Sequence, residues 1–200
     1  MSTERPRIAP LSPPYSPEAS AELERWMGRA ATMEPLKLFR TLARHLPLAE
    51  AMLPLGRYLL SRRLSVDAHD REVVIERVCA RCGSEYEWGV HAVVFGAAAG
   101  LSDAQLQATA IGGCTDPAWN ERERLLVRLV DELHDTGHVS KELWSGLASL
   151  WSAEQLLDLL VLAGWYHVIC YVTNGALVPH EDWQAHFPAP GAPPTPGHEP

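Results

Sequence analysis

The chain has 200 residues, of which 46% are hydrophobic and 21% charged, and its formal net charge is −8 at pH 7. That length can bury a core without disulfide or metal staples. The acidic balance argues against a general nucleic-acid binder, which needs clustered Lys and Arg to neutralise phosphates.

Residues 1–17 are rich in proline, carry little periodicity and read as a disordered tail. They lack the apolar stretch of a signal peptide, so a cytoplasmic location is the default expectation. The folded body is expected over residues 18–187. Helical periodicity begins over 18–32, and segments 35–45 and 47–62 follow, each with Pro at or near its first turn. Segment 67–81 places Val74, Val78 and Arg81 on one side, with Val73 and Ile75 widening the apolar face, and Gly83 ends it. A helix then runs from Ser84 to about Ala99, where Gly100 stops it. Ser102 or Asp103 caps a short helix to Ile111. Asn120 caps 121–135, closed by Gly137, and segments 140–150 and 152–178 complete the set. Stretch 156–169 is apolar but too short for a membrane span, and Asp158, Gly164 and His167 interrupt it, so it reads as a buried helix. Residues 188–200, PAPGAPPTPGHEP, form a second expected tail. No segment alternates like a strand, so the predicted fold class is all-α, a bundle with short connections. AHDREVVIERVCARCGSEYEWGVH and SAEQLLDLLVLAGWYHVICYVTNG echo one another weakly, each joining an acidic, apolar helix to a Tyr-bearing continuation.

The four cysteines, Cys79, Cys82, Cys114 and Cys170, are too few for a disulfide scaffold and are expected as thiols. Cys79 and Cys82 form a C-x-x-C in the last turn of their helix, where the helix dipole opposes a thiolate. They read as small buried apolar residues. A zinc site from Cys79, Cys82 and His91 lacks a fourth ligand at typical spacing, and no metal is expected.

The informative stretch is Arg71–Ser102, REVVIERVCARCGSEYEWGVHAVVFGAAAGLS. Ser84-Glu85-Tyr86-Glu87 fits a capping box, with the Ser hydroxyl accepting from the amide of Glu87 and the Glu carboxylate reaching back. Glu87 and His91 are also an i, i+4 pair on one helix face, with Trp88 and Phe95 on or beside it. A His in such surroundings is expected to be partly buried, its ring oriented and tuned by Glu87 or Glu72.

Arg71-Glu72 opening a helix, Tyr86-Glu87-Trp88, His91 three residues after that Trp, and Gly100-Leu101-Ser102 closing the segment together resemble the carboxymuconolactone decarboxylase-like family, which includes the alkylhydroperoxidase D-like proteins. The runs ERERLLVRLVDELHDTGHVSKELWSGL and EQLLDLLVLAGWYHVICYVTNGALVP extend the resemblance over about residues 35–180. It implies an alkylhydroperoxidase D-like helical bundle that assembles as a homo-trimer or homo-hexamer. The redox branch of that family carries C-x-x-C at a helix N-terminus. Anchored on His91, those two positions fall on Ser84 and Glu87, and an upstream Glu falls on Glu72. The Glu and His match, while both cysteines are replaced, so the chain resembles the non-redox branch.

The resemblance implies a catalytic set of His91, Glu72 and Glu87, with His91 moving a proton and the acids polarising it. Ser84, Tyr86, Trp88 and Arg81 are the candidates for substrate contact; Arg71 and Arg77 are expected in ion pairs or solvent. His134 and His138 are not expected to act as a metal pair, because Gly137 breaks the helix between them. His167 is expected in a core or an interface. The leading functional expectation is a cofactor-independent lyase or isomerase, decarboxylase-like, for a small carboxylated, carbonyl-bearing or lactone substrate. The alternatives are a thiol peroxidase or disulfide reductase using Cys79 and Cys82, and a non-catalytic oligomer that binds a small molecule. Neither nucleic acid nor membrane is an expected partner.

Overall fold

The computed structural model describes residues 5–28 and 33–189, and expectations for the remaining residues lie outside it. Among the described residues there are nine α-helices and no strand: α1 (Pro17–Met27), α2 (Lys37–Leu42), α3 (Leu46–Leu59), α4 (Ala68–Arg81), α5 (Glu85–His91), α6 (Asp103–Ile111), α7 (Glu121–Thr136), α8 (Lys141–Leu150) and α9 (Ala153–Ala176). The fold is all-α, as the periodicity predicted. The chain divides into two compact units. One holds residues up to Leu64 together with Tyr171–Trp183, and the other holds Ser65–Cys170 and the residues from Gln184 onward.

In the first unit α1 and α2 pack on α3. Ser16 caps α1 by accepting from the amide of Ala19, and Pro17 occupies the first turn, where its missing N–H is harmless. Gly28 ends that helix with φ 82°, a left-handed backbone that a β-carbon would strain. Leu23, Leu38, Leu42, Ala49, Leu53 and Leu59 form the core. Residues 5–16, part of the expected tail, are hydrogen-bonded along this unit: the amides of Arg7 and Ile8 donate to the carbonyl of Ala176, and that of Leu11 to the carbonyl of Arg40.

In the second unit α4 is the central helix, packed against α5, α6 and α7. Every residue from Glu72 to Cys79 is buried. A helix enclosed on all sides suits the VVI run, but it also encloses the polar residues between. Most are paired. Asp70 accepts from Trp151 Nε1 at 2.9 Å and from the Arg122 guanidinium. Arg77 makes a two-pronged pair with Asp131 and donates to the carbonyls of Thr109 and Gly112. Glu76 is the exception: neither carboxyl oxygen has a hydrogen-bond partner.

The predicted helix from Ser84 to Ala99 is divided. After α5 the backbone widens into a π-helical turn over Ala92–Gly96, and Gly100 reverses the chain at φ 78°. Val93 and Val94 are exposed rather than packed inside. The expected capping box is absent as well. Ser84 stands at the N-cap of α5 without a side-chain capping bond, because Glu87 turns toward His91 instead. Capping boxes do form at Ser102 with Gln105 and at Asn120 with Glu123. Residues Gln184–Phe187 lie along α5. The amide of Ala185 donates to the Gly89 carbonyl, Gln184 donates to the Glu85 carbonyl, and the Phe187 ring meets Trp88 at 5.3 Å.

The helix α9 is, among the described residues, the one long and apolar enough to cross a membrane. Leu159, Leu162, Ala163, Tyr166, Ile169 and Cys170 on it are buried in the protein, and Asp158 accepts from the amide and hydroxyl of Ser65.

Candidate active site

Helix α4 supplies Glu72 and Glu76, one turn apart. Helix α5 supplies Glu87 and His91, also one turn apart. Helix α9 supplies Tyr166. The i, i+4 spacing puts each acidic or imidazole pair on one face, and the packing of α5 on α4 brings the two faces together.

The His91 ring is held from both ends. Its Nδ1 lies 2.8 Å from a Glu72 oxygen, and its Nε2 lies 3.1 Å from the Tyr166 hydroxyl and 3.5 Å from Glu87 Oε1. Glu72 also accepts from Arg71 Nε at 2.8 Å. Phe95, projecting from the π-helical turn, packs on the imidazole at 4.8 Å between centroids, and Tyr166 meets it edge-on at 5.1 Å. His91 is only 3% exposed and Glu72 is fully buried.

Burial alone would push the His91 pKa down, because it disfavours the charged ring. The Glu72 carboxylate, then Glu87, outweigh that and raise it to about 10. Burial likewise works to raise Glu72, but His91 and Arg71 overcome it and hold the carboxyl below its ordinary range. At neutral pH the centre is therefore an imidazolium with its Nδ1–H on a carboxylate. Glu76 goes the other way. Burial, reinforced by the negative charge of Glu72 and Glu87 and only partly opposed by His91, raises it well above 4.5, so it keeps its proton. Burial next to Glu87 and Glu72 also raises the Tyr166 phenol well above 10.

Such a centre is a charged proton donor with a fixed orientation. Glu72 fixes the Nδ1 end, which leaves the Nε2–H as the proton that can be passed on. Cavities among the described residues lie elsewhere. One of about 540 Å³ is lined by Cys114, Thr115, Glu121 and Arg124, and one of about 450 Å³ by Tyr15, Leu23, Met27 and Met33. His91 borders neither.

His91, Glu72 and Glu87 are thus brought together. The four candidates for substrate contact are placed differently. Ser84 is buried at the start of α5, and its amide donates to the Cys79 carbonyl at 2.9 Å. Tyr86 is buried. Trp88 points its indole N–H at Thr109 Oγ1, 2.9 Å away on α6. Arg81 pairs with Asp131 at 3.6 Å and with Asp135, both on α7. The arginine that does reach the centre is Arg71.

Tyr166 and Glu76 were not singled out by sequence reasoning. The weak internal echo, with its Tyr-bearing continuation, was a signal for Tyr166. Glu76 was visible as an acid one turn after Glu72 inside an apolar run.

The Cys79 and Cys82 thiols are both shifted upward. Burial pushes Cys79 up to about 12. A hydrogen bond with Cys170, together with burial, raises Cys82 further. Neither is a thiolate at neutral pH, as nucleophilic thiol chemistry requires.

No family model matches the sequence, and no curated protein does. Solved structures match the fold. An uncharacterized peroxidase-related protein from Silicibacter sp. TM1040 superposes with a TM-score of 0.74 at 13% identity, covering 94% of this chain and 100% of that one. An alkylhydroperoxidase AhpD core protein from Ralstonia eutropha JMP134, also uncharacterized and peroxidase-related, gives 0.74 at 14% identity, covering 90% and 95%. The debrominase Bmp8, solved with 2,3,4-tribromopyrrole, gives 0.67 at 15% identity, covering 88% and 91%.

Proposed function

We propose that this chain, which has the alkylhydroperoxidase D-like helical fold, is a cofactor-independent acid–base catalyst for a small carboxylated or lactone substrate. The observation that carries the reading is the buried Glu72–His91 pair, with a proton held on the ring at neutral pH. In a decarboxylation the carbon–carbon bond electrons stay on the substrate as an enolate while carbon dioxide leaves. The His91 Nε2–H stabilises that charge and then protonates the carbon. Solvent returns the proton to the ring. Glu72 and Glu87 keep the ring charged and oriented, and Arg71, which shares Glu72 with His91, is placed to attract a substrate carboxylate.

The reading includes self-association into a trimer or hexamer. Leu157, Val161 and Val168 on α9 are exposed at 63%, 43% and 45%. Their spacing puts them along one helix face, an apolar stripe suited to a subunit contact.

The test is turnover on a panel of small β-keto acids and γ-lactones carrying carboxylates. His91→Asn is expected to lower kcat by about 10²–10⁴-fold, the usual worth of a positioned acid–base group. Full activity in that variant would overturn the reading.

A second reading, a thiol peroxidase or disulfide reductase, is favoured by one observation: the Cys170 thiol is in hydrogen-bond contact with both Cys79 and Cys82. Loss of free thiols at modest peroxide excess, reversed by dithiothreitol, would support it. An unchanged thiol count would eliminate it.

A further inference from the structure

The C-cap of α4, Cys82, lies beside His134 of α7 and His167 of α9. Cys82 Sγ lies 4.0 Å from His134 Nδ1, and His134 Nδ1 lies 3.1 Å from His167 Nε2. All three atoms fall within 4.8 Å of one another, and all three residues are half-buried. Three helices converge to put one sulfur and two imidazole nitrogens around a single point, in the same unit of the chain.

We propose that Cys82, His134 and His167 form a zinc site. Zinc takes tetrahedral sulfur and nitrogen ligands, with bonds of about 2.3 and 2.0–2.1 Å. Those bond lengths set ligand separations of about 3.6 Å for S to N and about 3.3 Å for N to N. The observed 4.0 and 3.1 Å differ from these by a few tenths of an ångström, within the reach of side-chain rotation.

The surroundings also suit a metal. His167 Nδ1 lies 2.8 Å from the Ala163 carbonyl one turn back on α9. As the donor in that bond, Nδ1 carries the proton and Nε2 presents its lone pair to the cluster. A backbone carbonyl orienting the far nitrogen in this way is the usual outer support of a metal-bound histidine. Asp131 and Asp135, which hold Arg81, offset its positive charge near His134. On binding, Cys82 gives up its thiol proton to solvent. His134 gives up the Nδ1 proton that it shares with His167 Nε2 to solvent and takes one from solvent on its own Nε2, so both imidazoles bind neutral. Three protein ligands leave the fourth position of the tetrahedron to water. The site shares no residue with the Glu72–His91 centre.

The test uses the untagged, reduced full-length chain and cobalt(II), which reports thiolate ligation by a near-ultraviolet charge-transfer band. One equivalent is expected to produce that band, with tetrahedral visible bands, and one equivalent of zinc to abolish both. Cys82→Ser should lose the charge-transfer band. His134→Ala and His167→Ala should each weaken zinc binding by more than about tenfold, the least that even an outer partner of a metal ligand is worth. Cys79→Ser and Cys114→Ser should leave the titration unchanged, and circular dichroism checks that each variant folds. Absence of saturable cobalt binding by the wild-type chain, or a band that persists in Cys82→Ser, would overturn the proposal. Neither result bears on His91 turnover.

Discussion

Two carboxyls one turn apart on α4 have opposite fates. Glu72 meets a cation on each side and ionises. Glu76 meets no hydrogen-bond partner and keeps its proton. The folded state must therefore take up a proton at Glu76 whenever the unfolded chain has released it. Its contribution is absent below the ordinary value of 4.5 and increasingly unfavourable as pH rises above it. Glu76→Gln should raise the urea midpoint at pH 7, and the gain should vanish below pH 4.5. His91 has the opposite sign. Its folded pKa is raised, so its stabilisation is complete below 6.5 and is lost as pH climbs through about 10. Urea midpoints measured from acid to alkaline pH in both the wild type and Glu76→Gln test the two claims together, and a flat difference between the chains would contradict the first. The meeting of Glu72, Glu87 and His91 was legible in the sequence, from the one-turn spacing of Glu87 and His91 and from the resemblance that points at Glu72. Tyr166 was not, because its meeting with His91 joins residues 75 positions apart.

At the level of elements, periodicity and caps foretold the α-helices among the described residues, most with ends shifted by a few residues, while the one predicted to reach Ala99 stops at His91. Where local signals agreed with packing they held: Asn120 with Glu123, and Gly137 in the left-handed conformation after α7. Where they competed, packing won. The S-x-x-E at Ser84 gave up its reciprocal cap because the partner carboxylate is drawn to a buried imidazole. The widening over Ala92–Gly96 has no composition signal, since π-helical turns arise from tertiary fit. Gly89 has a tertiary cause too. A β-carbon there would lie 2.0 Å from the Ala185 carbonyl oxygen, so only glycine lets residues 184–187 lie along α5. Gly89→Ala should cost about 1–3 kcal/mol, the range for forcing extra volume into a packed site. Chemical denaturation measures it, and proteolysis near residue 185 should quicken. Wild-type stability in this variant would show that the segment yields easily.

For the whole molecule, helical periodicity without alternating segments foretold the all-helical body, and similarity to solved structures bears out the alkylhydroperoxidase D-like fold. Assembly is a proposal that the α9 stripe supports. Under that proposal, light scattering should give a mass about three or six times 22.1 kDa. Leu157→Glu together with Val161→Glu should shift the chain toward the monomer, since a buried contact does not tolerate unpaired charge. A monomeric wild type would remove this part of the reading.

On the proposed chemistry, the Tyr166 hydroxyl sits where a reactant would receive the ring's proton. The resting protein is thus latched. A visitor gains the imidazole only by taking the phenol's place, and each catalytic cycle would start with an unlatching step that Tyr166→Phe should make easier.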